Sequence, residues 1–353
     1  MAQLQINLSK IKYNGHVLNA LCSQNNICFT PVTKCVAGDS KIIEVLKDIG
    51  ITHFADARID NITKSKDTNL SFAMIGTTNQ YEFEDVVRYT NISIQTEIAT
   101  IRQLNDLAGK QQVKHQILLM VDWKDAREGI LTYDVIDYIK EIIQMHHLNI
   151  AGLAFNFMCF QSNAPTDEDV KMINQFVKYI EEVTNIRFKI ISGGNSSLLT
   201  QMTYSDLGKI NELRIGETLF RGIETTTNHP IAMLYQDTII LEAEIVEIKP
   251  RTNYDTGKQY LQAIIDIGSL DTHVEAITPI HHQVKILGAT SDHVMIDLLN
   301  QDFYQLGDKI QFSLGYKALA QSMYIPNLTK VYTRDEGVEQ ACTNIKNQVF
   351  NSL

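Results

Sequence analysis

The chain has 353 residues, 44% apolar and 20% charged, long enough for two domains and apolar enough for a sizeable core. Its 41 acidic side chains against 31 basic ones leave a formal charge of -10, which argues against a nucleic acid as partner. No apolar run approaches a membrane span, the N-terminus Met1-Ala2-Gln3-Leu4-Gln5-Ile6-Asn7 lacks a secretory pattern, and five cysteines without CxxC spacing argue against disulfides and structural zinc. A cytoplasmic protein with no membrane partner and no metal is expected.

Taken in chain order, short apolar runs at 27–33, 51–55, 71–76, 91–95, 115–121, 149–155, 187–192 and 211–215 read as strands, β-branched and bounded by turn residues. Between them lie amphipathic runs, such as Val135 to Met145 and Asp169 to Val183, with apolar residues recurring at three and four. Eight such units predict a closed (β/α)8 barrel over residues 1–230. An open doubly wound sheet would carry a glycine-rich turn after its first strand, and Cys35-Val36-Ala37-Gly38-Asp39 fails that pattern. After His229-Pro230 the texture changes to strands at 238–248, 263–267, 284–287 and 293–297 separated by Gly, Asn and Asp turns, so residues 231–353 are expected to form an all-β domain. The stretch Glu336 to Phe350 reads as a terminal helix or a loose tail.

Lys34 closes the first strand, at the C-terminal rim where barrel enzymes place their chemistry. A half-buried ammonium is costly there unless paired or used as an amine nucleophile, and such lysines form Schiff bases with carbonyl compounds, pyridoxal phosphate among them; a lysine snorkelling at a strand end is the plainer account. After the seventh strand comes Ile191-Ser192-Gly193-Gly194-Asn195-Ser196-Ser197, with glycines for close backbone approach and hydroxyls beside a helix start; an ordinary capped loop has the same composition. After the eighth comes Arg214-Ile215-Gly216-Glu217. A lysine on the first strand together with a phosphate cradle after the seventh and eighth suggests one ligand carrying an aldehyde and a phosphate.

With Pro31-Val32-Thr33-Lys34, the Ile191-to-Ser197 segment and Leu213-Arg214-Ile215-Gly216-Glu217 in order, the chain resembles the alanine-racemase-type (fold type III) pyridoxal-phosphate enzymes, in particular their ornithine-racemase-like branch. The resemblance implies a pyridoxal-phosphate-dependent amino-acid racemase, a homodimer with shared active sites and a small amino acid as substrate. It implies that Lys34 anchors the cofactor, and that Asn195, Ser196 and the backbone of Ile215 and Gly216 are among its contacts, the last three at the phosphate. Arg214 would face the pyridine nitrogen, and an arginine cannot give up its proton, so the cofactor would be a weaker electron sink. Asp122-Trp123-Lys124-Asp125-Ala126-Arg127 is similar to a family loop that would bring Arg127 to the substrate carboxylate, although the family's glycines are absent. Asn156 falls where alanine racemases stack a histidine on the ring. Gly38 falls where they have a phosphate-binding tyrosine, so that contact is expected to be missing. Tyr316 and Tyr324 repeat the spacing of two family tyrosines, the second of which binds phosphate.

Two-base racemisation needs a proton acceptor on each face of the reacting carbon. Lys34 serves one. For the other, Tyr254 of the partner subunit and Cys159 are the candidates. Asp292, in the turn Gly288 to His293, stands where the family places a methionine near the substrate carboxylate, which would favour a cationic side chain such as that of ornithine or lysine; a turn-capping aspartate is the alternative. Decarboxylases or aldolases of the same fold are a rival reading. The former usually pair the pyridine nitrogen with a glutamate, where this chain has Arg214. A non-catalytic cofactor-carrying protein is the other rival. The pairs His146-His147 and His281-His282 make poor metal sites, because adjacent side chains point apart, and surface positions are expected for them.

Overall fold

The computed structural model describes residues 1–65, 67–280 and 283–350. Its strands, in chain order, are β1 (Gln3–Asn7), β2 (Cys28–Pro31), β3 (His53–Asp56), β4 (Ser71–Met74), β5 (Ile92–Gln95), β6 (His115–Met120), β7 (Leu148–Ala154), β8 (Ile190–Ser192) and β9 (Glu212–Ile215), then β10 (Ile239–Thr252), β11 (Gln259–Ile265), β12 (Ile277–Pro279), β13 (Lys285–Ala289), β14 (Val294–Asp297), β15 (Lys309–Leu314) and β16 (Thr329–Thr333). Strands β2 to β9 are the eight expected from the apolar runs. They form one parallel sheet in the order β2-β9-β8-β7-β6-β5-β4-β3, and a single parallel bridge from Val32 to Ala55 brings its two ends together. The result is an almost closed eight-stranded barrel wrapped by helices.

Period-two alternation explains why these runs are apolar throughout. Small or slender side chains such as Ala55, Ala73, Ala151 and Ala154 fill the interior beside Val32, Ile92, Ile94, Leu118 and Met120. Their sequence neighbours Phe54, Phe72, Leu119 and Leu153 face outward into the layer that includes Ile42, Leu46, Ile101 and Leu104 from the helices. Helix starts are set by local side chains. Asn7 accepts from the Lys10 N–H at 3.0 Å to open the helix Leu8–Gln24. Thr166 and Asp169 exchange hydrogen bonds, Oγ1 accepting from the Asp169 N–H at 3.2 Å and Oδ2 from the Thr166 N–H at 3.1 Å, to open Asp167–Thr184.

The second sheet runs β12-β15-β10-β11-β14-β13, with β1 antiparallel to β10 and parallel to β16. A register shift between Ile245 and Glu247 bends the long β10, so that its first half pairs β15 and its second half β11. This places Gln3–Asn7, grouped with the barrel in the division at residue 230, in the second sheet instead. Alternating Leu4 and Ile6 are fully buried there. Between β15 and β16 the chain forms a helix, Tyr316–Tyr324, that packs on the turn holding Lys34. The C-terminal stretch is a helix, Glu336–Phe350, docked on Leu8–Gln24; the Glu339 carboxylate accepts from Ser9 Oγ at 2.8 Å and Lys12 Nζ at 3.3 Å. His146 and His147 are exposed, and His281 and His282 lie outside the described residues. Among the described residues no helix is long and apolar enough to cross a membrane.

Candidate active site

β2 ends at Pro31, which has no N–H to continue the ladder, and the chain turns outward over the barrel rim. The Val32 N–H donates to Ile215 O and the Thr33 N–H to Ala55 O, both at 2.9 Å, so both neighbouring strands hold this segment. Lys34 therefore sits just beyond the strand, in a 3-10 turn Lys34–Val36 closed by left-handed Ala37 (φ 54°) and Gly38 (φ 60°). A Cβ on Gly38 would lie 2.7 Å from Asn61 Cβ and 2.8 Å from Asn61 O, so no tyrosine fits there. Thr33 Oγ1 donates to Asp56 Oδ2 at 2.7 Å, and Asp56 Oδ1 accepts from Asn61 Nδ2 and the Arg58 N–H, both at 3.0 Å. Burial pushes the Asp56 carboxyl above its ordinary range against those hydrogen bonds. Lys34 itself is half-buried and makes no hydrogen bond or ion pair with a described side chain.

Lys34 lines a cavity of about 290 Å³ at the C-terminal mouth of the barrel. Arg214, Asn195, Ser196 and Gly216, each expected at the cofactor, line the same cavity, as do Arg127 and Cys159. Arg214 is 4% exposed and is held by Ser192 Oγ and by Phe155 O, the latter at 2.7 Å. Burial lowers its pKa, Glu212 and Cys159 oppose that shift, and no carboxylate forms an ion pair with it among the described residues. Asn195 Oδ1 accepts from the Ser197 N–H at 2.9 Å and its Nδ2 donates to Phe157 O at 2.6 Å, which fixes the loop after β8. Ser196 Oγ is met by the Thr218 N–H at 3.4 Å. At Gly216 a Cβ would come within 3.0 Å of Val32 O, so the backbone lies hard against the first strand.

Other expected positions fall differently. Arg127 lines the cavity, but its guanidinium is engaged at Nε and Nη2 by the carboxylate of neighbouring Glu128. Asn156 donates through Nδ2 to Cys159 Sγ at 3.0 Å. Tyr324 does not line the cavity; its hydroxyl accepts from Asn61 Nδ2 at 2.6 Å, with the Arg58 guanidinium 5.5 Å from its ring. Tyr316, at the start of the same helix, is the tyrosine that lines the cavity, and burial pushes its hydroxyl far above the ordinary range. Tyr254 is 99% exposed on the β10–β11 hairpin, and Asp292 is exposed on the β13–β14 turn, so neither meets the cavity of its own chain.

Of three further residues, the sequence offers Ser197 with Ser196 as a hydroxyl beside a helix start but does not place it among the cofactor contacts, and Thr225 and Asp125 are not singled out. Ser197 Oγ and Thr225 Oγ1 are buried without a hydrogen-bond partner and line the cavity. Asp125, 4% exposed, accepts at Oδ1 from the backbone N–H groups of Cys159, Phe160 and Gln161 at 3.0, 3.0 and 3.3 Å, pinning the loop after β7. Ser197 was visible as a second serine beside Ser196; nothing in the spacing marks Asp125 or Thr225.

The donor set fits pyridoxal phosphate. One cavity is lined by an amine that no described side chain pairs, by two buried hydroxyls without a partner, by the close backbone at Gly216 and by a buried guanidinium, the groups a ligand with an aldehyde, a phosphate and a ring nitrogen needs. Orphaned hydroxyls of this kind cost stability unless a ligand uses them.

The model of the alanine racemase N-terminal domain matches residues 6–223. The ornithine racemase of Acetoanaerobium sticklandii is 30% identical over 336 residues, covering 90% of this chain and 95% of that one. The lysine racemase of Thermotoga maritima is 27% identical over 349 residues, covering 94% and 98%. Among solved structures, the alanine racemase of Bartonella henselae with covalently bound pyridoxal phosphate superposes with a TM-score of 0.73 at 16% identity, covering 94% of this chain and 99% of that one. The D-threonine aldolase of Filomicrobium marinum has the same fold, with a TM-score of 0.76 at 14% identity and coverages of 95% and 92%. The chain belongs to the alanine racemase N-terminal domain family, with a barrel and a second β domain built as in its solved structural neighbours.

Proposed function

We propose that the protein is a pyridoxal-phosphate-dependent racemase of a cationic amino acid such as ornithine or lysine. The observation that carries the reading is one cavity holding Lys34, Arg214 and two unpartnered buried hydroxyls, in a chain matched over nearly its whole length by an ornithine and a lysine racemase. A D-threonine aldolase shares the fold, so fold alone does not choose the reaction; the full-length sequence relatives do.

Lys34 would anchor the cofactor, Ser196, Ser197 and the backbone at Gly216 would hold its phosphate, and Arg214 would stand at its ring nitrogen. Bound there, pyridoxal phosphate supplies an electron sink that acidifies the substrate's α-C–H. An arginine does not surrender its protons, so Arg214, fixed by Ser192 and Phe155, would leave the ring nitrogen unprotonated and limit that sink, which would favour return of a proton to the α-carbon over other fates. Lys34's amine takes and returns the α-proton on one face. Arg127 would exchange Glu128 for the substrate carboxylate. A homodimer in the cytoplasm belongs to this reading, because Tyr254 and Asp292 stand exposed on turns of the second domain, where a second copy would receive them.

The test is α-hydrogen exchange in deuterated water with optical rotation, using the cofactor-loaded protein and a panel of amino acids. Ornithine and lysine should exceed alanine in kcat/KM by about ten- to a hundred-fold, the worth of a partly desolvated carboxylate–ammonium pair, and Asp292→Asn should narrow the gap. No exchange with any amino acid, or a preference for alanine, contradicts the reading.

A further inference from the structure

The racemase reading leaves one face of the reacting carbon without an assigned proton carrier. We propose that Cys159 of the same chain is the second acid–base residue, acting from the wall across from Lys34. The inference rests on the racemase reading and names a group within its site.

Topology places the two residues apart. Lys34 leaves the barrel after β2 and Cys159 after β7, three strands away in the order β2-β9-β8-β7, yet both line the one cavity. That cavity also holds the buried, unpartnered Ser197 hydroxyl, which independently marks it as a ligand site. The tyrosines are worse placed. Tyr316 arrives on the helix that packs against the turn of Lys34, so it shares Lys34's side, and its burial opposes ionisation. Tyr254 stands on a hairpin tip outside the cavity of its own chain, so a tyrosine at that position could reach the site only from a second copy, and the Tyr254→Phe variant below separates the two.

The surroundings of the Cys159 sulfur are built. Asn195 cannot be turned around, because its Oδ1 is bound by the Ser197 N–H and its Nδ2 donates to Phe157 O, so the N–H end faces Cys159 Sγ at 3.3 Å. Asn156 Nδ2 donates to the same sulfur at 3.0 Å. The guanidiniums of Arg127 and Arg214 both interact electrostatically with it. Two N–H donors thus meet the sulfur directly, with the Arg127–Glu128 pair and the Arg214 guanidinium beside the same site. Asp125 fixes the backbone of Cys159 and of the two residues after it, so the thiol is held rather than carried on a free loop.

In one direction Lys34's amine removes the α-proton and the Cys159 S–H delivers its own proton to the other face, leaving ammonium and thiolate. In the other direction the thiolate removes the proton and the ammonium delivers one. Each turnover shifts one proton between nitrogen and sulfur, and exchange with water at the cavity mouth restores the starting state.

Two measurements test this. In the cofactor-free protein, iodoacetamide labelling followed by peptide mass spectrometry reads the sulfur without turnover. Cys159 should label about tenfold faster than Cys28, the other exposed cysteine, and Asn156→Ala with Asn195→Ala should remove most of that advantage. In the loaded protein, both enantiomers of ornithine are followed for α-hydrogen exchange in deuterated water. Cys159→Ser should slow exchange of one enantiomer by on the order of a hundredfold and leave the other, served by Lys34, near the parent rate. A structural role would slow both alike. Equal loss, no loss, a one-sided loss in Tyr254→Phe instead, or Cys159 labelling no faster than Cys28 overturns the proposal. A parent protein that exchanges neither enantiomer of any amino acid overturns the racemase reading itself, and the proposal with it.

Discussion

Ser197 and His115 are both buried polar groups, and the difference between them is commitment. His115 Nε2 is paired with Ser93 Oγ at 2.8 Å inside the barrel wall, whereas Ser197 Oγ has no partner. Ser197→Ala should therefore leave the cofactor-free protein as stable as the parent or slightly more so, and weaken cofactor binding about tenfold, the worth of one hydrogen bond near a charge. Thermal melts and a cofactor titration check the two halves; a cofactor affinity unchanged in the variant contradicts the cradle. Burial lowers the His115 pKa from an ordinary 6.5 to about 4. The unfolded chain then binds the extra proton first, so this residue's contribution is intact above pH 6.5 and is lost as the pH falls toward 4, up to about 3 kcal/mol in all. Urea unfolding of His115→Gln should show a shallower fall across that window than the parent; parallel curves contradict it. At this scale the sequence was most legible where a residue type is costly in its place. Lys34 declared itself because a cation at a strand end needs a reason, and Arg214 through the resemblance carried by Leu213-Arg214-Ile215-Gly216-Glu217. Tyr316, Asp125 and Thr225 did not, since their roles depend on which loops meet, and the family spacing directed attention to Tyr324, which does not line the cavity.

Among the elements, the eight barrel strands were readable because both faces are buried, which makes each strand a continuous apolar run. β1 was missed although Gln3-Leu4-Gln5-Ile6-Asn7 alternates as a half-buried strand does, because it is only five residues long and its partners β10 and β16 lie more than 200 residues away. The helix Tyr316–Tyr324 was hidden for a related reason: it is short, and one side is covered by the Lys34 turn rather than by the sheet. β7 and β8 bear the loops of Cys159 and Ser197, and they are joined at Gly152, which pairs with Ile190. A Cβ there would lie 1.6 Å from Ile190 O. Gly152→Ala should cost at least about 3 kcal/mol, since backbone rather than a movable side chain stands in the way. A melting temperature equal to the parent's would contradict the close approach of these strands.

At the scale of the whole molecule, the second domain does two things. It closes the chain by taking β1 into its sheet, and it sends Tyr316 into the barrel mouth. Its exposed turns at Tyr254 and Asp292 are the part of the fold that a second copy would cover, so light scattering should give twice the chain mass at working concentration, and a fully active monomer would contradict the homodimer. Every role proposed for the site depends on Lys34 as the residue that takes the cofactor. The direct measurement is to load the purified protein with pyridoxal phosphate, reduce it with borohydride, and map the modified peptide by mass spectrometry. A visible absorption band is expected before reduction and a single pyridoxyl adduct on Lys34 after it, the sign of Lys34 as the anchoring residue. An adduct on a different lysine, or no band and no adduct at all, would contradict it.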